Sequence, residues 1–148
     1  MAPKPIPDSY HSVTPFLMIQ GAAKLLDFLT WAFEATPRHR MEHPDGTIMH
    51  AEVKIGDSVV MVSDARGKCQ PMPCTLYLYV PDADAVYKRA VQAGATSTME
   101  PADQFYGDRL AGVRDPAGNQ WMIATHKEDV PPDEMKKRAE AVMKGQAK

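Results

Sequence analysis

The sequence predicts an α+β fold in which two βαβββ modules form a cupped mixed sheet with helices on its convex face. Three observations carry this. Strand, helix and hairpin strands follow one another in the same order twice along the 148 residues. A shift of 61 positions lays Thr14 on Thr75, Leu17 on Leu78, Ala22 on Ala83, Ala32 on Ala93 and Met61 on Met122. Turn punctuation at Pro44-Asp45-Gly46, Gly56-Asp57 and Asp115-Pro116-Ala117-Gly118-Asn119 falls between the strand-like stretches.

The elements follow in order. Residues 1–10 read as an extended tail, since three prolines fall within the first eight. The first module is expected over 11–64. It opens with a strand over Val13–Ile19, and Pro15 points to an edge or an interrupted ladder there. Leu25, Leu26, Phe28, Leu29 and Phe33 recur at helical spacing, so Ala22–Phe33 is a helix. A short strand near Arg38–Glu42 leads through the Pro-Asp-Gly turn to the alternating His50–Ile55, and Ser58–Val62 follows. Residues 65–73, with Gly67, Pro71 and Pro73, form a linker to the second module, expected over 74–127. There Thr75–Val80 is a strand, Asp82 caps a helix running to Ala93, and Gly94 stops it. Two or three strands lie between Thr96 and Arg114, and Gln120–Thr125 closes the module. The tail over 128–148 ends in a helix opened by Pro131-Pro132-Asp133-Glu134.

Composition narrows the function classes. Hydrophobic residues make up 44% of the chain, enough for a packed core. The formal charge is −2 and the Lys and Arg residues are dispersed, so no nucleic-acid footprint is expected. Two cysteines, Cys69 and Cys74, do not make a disulfide framework and fit a reduced, cytoplasmic protein. The first eight residues lack the apolar core of a signal peptide, and no apolar run is long enough for a membrane span.

Strand alternation assigns faces. Ala51, Val53 and Ile55 belong under helices, so His50, Glu52 and Lys54 face the other way. Val13, Leu17 and Ile19 take the helix side, which turns Thr14, Phe16 and Met18 into the cup. The repeat adds Thr75, Tyr77 and Tyr79, and the closing strands add Val59, Met61, Ser63, Gln120, Met122 and Ala124. Trp121 falls on the helix side and reads as core. Apolar and aromatic walls with a few polar anchors describe a small-molecule site.

These features resemble the vicinal-oxygen-chelate superfamily, which includes glyoxalase I, fosfomycin- and bleomycin-resistance proteins and extradiol dioxygenases. Tyr10-His11-Ser12-Val13-Thr14-Pro15, Pro44-Asp45-Gly46-Thr47-Ile48-Met49-His50-Ala51-Glu52 and Asp103-Gln104-Phe105-Tyr106-Gly107-Asp108-Arg109 are similar to its PhnB-like branch. Metal-dependent members hold a divalent ion with four inward residues, usually His, Gln or Glu. The matching positions here are Thr14, Met61, Thr75 and Met122. Thioethers are soft ligands and a neutral hydroxyl is a weak donor. The resemblance therefore implies a scaffold whose usual metal site is lost, with no cofactor expected. It also implies a homodimer, since members of the superfamily pair their modules.

Two functions follow as expectations. One is a metal-free protein that binds a small organic molecule through Thr14, Phe16, Met61, Thr75, Tyr77 and Met122. The other is an enzyme of lyase, isomerase or dioxygenase type with a relocated acid/base or metal site on His50 and Glu52, which share a strand face. Arg109 either clamps an anionic group or braces the turn by pairing with Asp108 or Asp115. His126, beside Glu128 and Asp129, reads as a surface residue, as do His39 and His43 in their hairpin. His11 either reaches the mouth of the cup or is structural.

Overall fold

The computed structural model describes residues 2–146. Eight strands and three helices follow in the order β1 (Phe16–Ile19), α1 (Ala22–Phe33), β2 (Thr36–Glu42), β3 (Ile48–Ile55), β4 (Ser58–Asp64), β5 (Thr75–Tyr79), α2 (Ala83–Gln92), β6 (Thr96–Asp103), β7 (Asp108–Arg114), β8 (Gln120–His126) and α3 (Pro132–Gln146). They build two four-stranded mixed sheets ordered β1-β4-β3-β2 and β5-β8-β7-β6. The expected βαβββ unit is thus present twice. No described helix is long and apolar enough to cross a membrane.

The 61-residue repeat holds at the level of register. In the first sheet Phe16 lies opposite Met61 in the parallel β1–β4 pair. In the second, Tyr77 lies opposite Met122 in the parallel β5–β8 pair. The helix starts repeat as well. Gly21 provides no capping side chain for α1. Instead Asp64, ending β4, accepts from the Gly21, Ala22 and Ile48 amides at 2.9, 3.0 and 2.7 Å. Thr125, 61 positions on, accepts from Ala83 N–H and donates to Val80 O, both at 2.8 Å. Each closing strand thereby anchors the N-terminus of its own helix, whose first N–H groups lack intrahelical partners.

Leu25, Leu29 and Phe33 of α1, Val86 and Ala90 of α2, and the helix-facing residues Leu17, Val53, Val62, Val113 and Ile123 form one core. Phe33 and Trp121 join the modules, with ring centroids 4.8 Å apart. Trp121 is core, as expected, and its indole N–H donates to Asp115 Oδ2 at 2.8 Å. That carboxylate also accepts from the Ala117 and Asn119 amides and the Asn119 side chain, so it organises the Asp-Pro-Ala-Gly-Asn turn.

Three local expectations are corrected. Val13 is 84% exposed and lies outside β1. Pro15 has no N–H to give, and the ladder starts with Met61 N–H donating to Pro15 O. Thr14 accordingly precedes the strand. Tyr106-Gly107-Asp108-Arg109 reads in sequence as a loop between strands, but Asp108 and Arg109 lie in β7. Apart from these corrections, Cys69 and Cys74 are free, in line with the reading of them as unpaired thiols, and both are exposed.

Candidate functional site

With the helix-facing sides of both sheets committed to one core, the opposite faces present the candidate site residues. On the first module Phe16 and Met18 stand on β1, His50 and Glu52 on β3 and Met61 on β4. His50 Nε2 and Glu52 Oε2 are 2.8 Å apart. The His50 ring lies 5.9 Å from that of Phe16 and 6.2 Å from that of His39. The N-terminal tail folds back here. Ile6, Tyr10 and His11 line a cavity of about 460 Å³ with Thr14, Glu52 and Met61. Arg38 sits over the Tyr10 ring at 5.3 Å and holds that part of the tail in place.

The second module presents Thr75, Tyr77 and Tyr79 from β5 and Gln120, Met122 and His126 from β8. Asp108, first in β7, is 3% exposed and is the hub. Its Oδ2 accepts from Tyr77 Oη at 2.7 Å and Tyr79 Oη at 2.9 Å. Its Oδ1 meets His126 Nδ1 at 2.8 Å, and His126 Nε2 meets Asp129 Oδ1 at 2.7 Å. Tyr106 Oη lies 3.4 Å from Tyr77 Oη. Bonds to Asp129 and then Asp108 push the His126 imidazole up, which favours the imidazolium. Burial lifts the Asp108 carboxyl, but the donors His126, Tyr77 and Tyr79 outweigh it, and its pKa falls below the ordinary 3.8. Tyr77 is driven far up by burial and by its bonds to Tyr106 and Asp108. Tyr79 is driven up chiefly by its bond to Asp108. Both phenols therefore stay protonated at neutral pH.

The structure places the sequence-derived candidates as follows. His50 and Glu52 are in contact. Phe16, Tyr77 and Tyr79 are 48%, 44% and 61% exposed on the inner faces. Met61 and Met122 sit on the strands beside Phe16 and Tyr77 in register, and Gln120 Nε2 lies 3.6 Å from Met122 Sδ. Thr75 opens β5 and is exposed. Arg109 braces, though with other partners than Asp108 or Asp115. It points to the helix side, where Asp84 takes both Nε and Nη2, and Asp103 takes Nη1. All three bonds engage its fork, and it does not share the face of Tyr77. His126 is not a bystander, because it bridges two carboxylates. Asp108 and His126 are the candidate site residues that sequence reasoning did not select as functional, whereas the repeat already places Tyr79 in the cup. Period-2 alternation continued through β7 and β8 places Asp108 and His126 on the tyrosine face, and that was the available signal.

A divalent metal requires a stronger donor set than the four candidate ligand positions supply. Thr14, Met61, Thr75 and Met122 supply two hydroxyls and two thioethers, with no carboxylate or imidazole. Among the described residues no three His, Cys, Asp or Glu converge as a metal site. These residues do not fit a Zn, Ni, Mn or Fe ion of the usual kind.

Comparison with known proteins gives the same frame. The sequence profile of the Glyoxalase/Bleomycin resistance protein/Dioxygenase superfamily matches residues 11–123. An uncharacterized protein of Mycobacterium bovis is 35% identical over 135 residues, covering 84% of this chain and 89% of that protein. Among solved structures, TioX from Micromonospora sp. ML1 superposes with a TM-score of 0.64 at 24% identity, over 78% of this chain and 99% of TioX. A PhnB protein from Bacillus cereus superposes with a TM-score of 0.62 at 19% identity, over 78% and 99%.

Proposed function

Since the chain belongs to the Glyoxalase/Bleomycin resistance protein/Dioxygenase superfamily, we propose that it binds a small organic molecule on the inner faces of its sheets, without the divalent metal of the superfamily's enzymes. The observation that carries this is the pairing of a poor donor set with retained aromatic surface. The four ligand positions are Thr14, Met61, Thr75 and Met122, while Phe16, Tyr77 and Tyr79 stay exposed beside them. Large aromatics left open on a concave strand face favour a ligand over a solvated surface. Met18, Met61 and Met122 give the floor adaptable contacts.

The binding unit is a homodimer. The helix sides of both sheets share one core, so each inner face lacks a facing half within its own chain, and a second copy supplies it. Light scattering at micromolar concentration tests this, and a monomer mass overturns it. For binding, a thermal-shift screen of small aromatic and heteroaromatic compounds is the direct experiment. A ligand at a hundred times its Kd adds about 2.7 kcal/mol of stability, several degrees in Tm. Failure of every compound to stabilise the protein, with no shift at Phe16 or Tyr77 in NMR, overturns the reading.

A second reading rests on the 2.8 Å His50–Glu52 contact, an acid/base pair on the inner face of the first module. It requires turnover of some substrate that His50→Ala abolishes. Unchanged turnover in that variant, with no metal in protein purified without chelator, removes it.

A further inference from the structure

The small-molecule reading leaves the chemistry of the ligand open, and the Asp108 hub narrows it. Tyr77 and Tyr79 both spend their single O–H on one carboxylate oxygen, Asp108 Oδ2. Their oxygens therefore lie close together, and what each still offers is lone pairs. The rings stand 5.2 Å apart at 54°, forming two walls of a corner that opens on the inner face. Two carboxylates, Asp108 and Asp129, flank one imidazolium, so this row of charges is net negative. Arg109, next to Asp108 in sequence, is held by Asp84 and Asp103 on the opposite side of the sheet, and Arg89, which lines a cavity with Tyr77 and Tyr79, is engaged by Glu34 and the Ala32 carbonyl. The corner thus accepts hydrogen bonds, carries π faces and lies beside uncompensated negative charge.

We infer that the Tyr77–Tyr79 corner, backed by Asp108 and His126, binds the protonated amine of a small organic ligand. The ammonium donates N–H to the two phenol oxygens while its charge lies against the tilted rings. Asp108 polarises each phenol by accepting its proton, which makes the oxygen a better acceptor. His126 and Asp129 position Asp108 and do not touch the ligand. The inference rests on the small-molecule reading above.

The probes are benzylamine, benzyl alcohol and phenylacetate, alike in ring and different in charge. They are titrated into the full chain at pH 7 and low salt, with amide and tyrosine-ring NMR shifts as the readout. Benzylamine is expected to bind about tenfold more tightly than benzyl alcohol, the scale of one cation–π contact with a charged hydrogen bond. Phenylacetate is expected to give no shifts at Tyr77. Changing Tyr77→Phe and Tyr79→Phe together keeps both rings and removes both oxygens, and is expected to erase the preference for the amine. Asp108→Asn is expected to do the same, and circular dichroism confirms that each variant is folded. Equal binding of the alcohol, preferred binding of the carboxylate, or an amine preference that survives Tyr77→Phe with Tyr79→Phe overturns the inference. In those cases shifts at inner-face residues still uphold the broader reading. Absence of shifts from all three probes overturns the inference, and the compound screen then decides the broader reading separately.

Discussion

Replacing Asp108 with Asn keeps the shape of the side chain and removes its charge, which makes it the sharpest test of the second module's network. Three donors converge on this carboxylate. A hydrogen bond to a charged group contributes roughly 1.5–3 kcal/mol, but the two tyrosines and His126 reach water and recover part of that when released. The amide keeps one acceptor and turns an NH₂ toward the others, so the net loss is about 2.5 kcal/mol. Unfolding entropy of roughly 2.1 cal/mol/K per residue converts this into a fall in Tm of about 8 °C for a chain of this length. The loss also has a pH signature. Asp108 lies below its ordinary 3.8 in the folded state, so its contribution exists above that value and disappears as pH falls through the folded pKa. His126 lies above its ordinary 6.5, so its contribution is complete below 6.5 and disappears as pH rises through the folded pKa. Asp129, Tyr77, Tyr79 and Tyr106 are the other titratable groups in this network. The gap between wild type and variant is therefore widest between about pH 4 and 6.5 and narrows on both sides. Thermal melts from pH 3 to pH 9 measure it. A gap below 2 °C, or one constant across that range, refutes the network's energetic role.

Four further substitutions, taken in two pairs, probe the scaffold that positions the site. Asp64→Ala strips three backbone donors of a charged acceptor and removes the side-chain cap at the start of α1, so it is expected to cost about 3 kcal/mol. Thr125→Val in the second module, with one accepting and one donating bond, is expected to cost about half as much, and chemical denaturation compares the two. Gly107→Ala meets a positive φ of 105° and drives its Cβ into the Glu128 carbonyl, so about 3 kcal/mol is expected with displacement of Tyr106 from Tyr77. Gly46→Ala shares a positive φ but has nothing within 4 Å, so about 1 kcal/mol is expected there.

The inward and outward faces were legible because alternation is a local signal. Ala51, Val53 and Ile55 entered the core, and His50 and Glu52 did not, as their period-2 spacing required. Met61 and Met122 were legible through the repeat, and the sheet registers preserve their offset. What stayed hidden was decided at strand ends and across long separations. Asp108 is one residue past a glycine with φ of 105°, so its sequence reads as loop while its backbone already pairs with His126. One added rung at that end turned Asp108 toward Tyr77 and carried Arg109 to Asp84. The cap on α1 comes from 42 residues away and carries no local signature. The N-terminal tail reads as extended because of its prolines, and contacts with no local signature, such as Arg38 over the Tyr10 ring, return it to the sheet.

The two inner faces have diverged in a way that bears on assembly. Phe16 and Met18 of the first module correspond by the 61-residue shift to Tyr77 and Tyr79 of the second. One face is apolar with a His–Glu pair, and the other is phenolic with a buried carboxylate. If the first-module face of one copy meets the second-module face of the other, each site contains one face of each kind, and a symmetric dimer holds two equivalent sites. Complementation tests this arrangement. One chain carries Phe16→Ala, and the other carries Tyr77→Phe with Tyr79→Phe. The two chains bear different tags, so that only the mixed dimer is purified. In that dimer one site pairs two wild-type faces and the other pairs two altered faces. Each homodimer is expected to bind benzylamine weakly, while the mixed dimer regains one site of wild-type affinity. Recovery cannot occur if both faces of a site come from the same chain, because every chain in the mixture is then defective. Weak binding by the mixed dimer, with both parents folded and dimeric, therefore rejects a site shared between unlike faces.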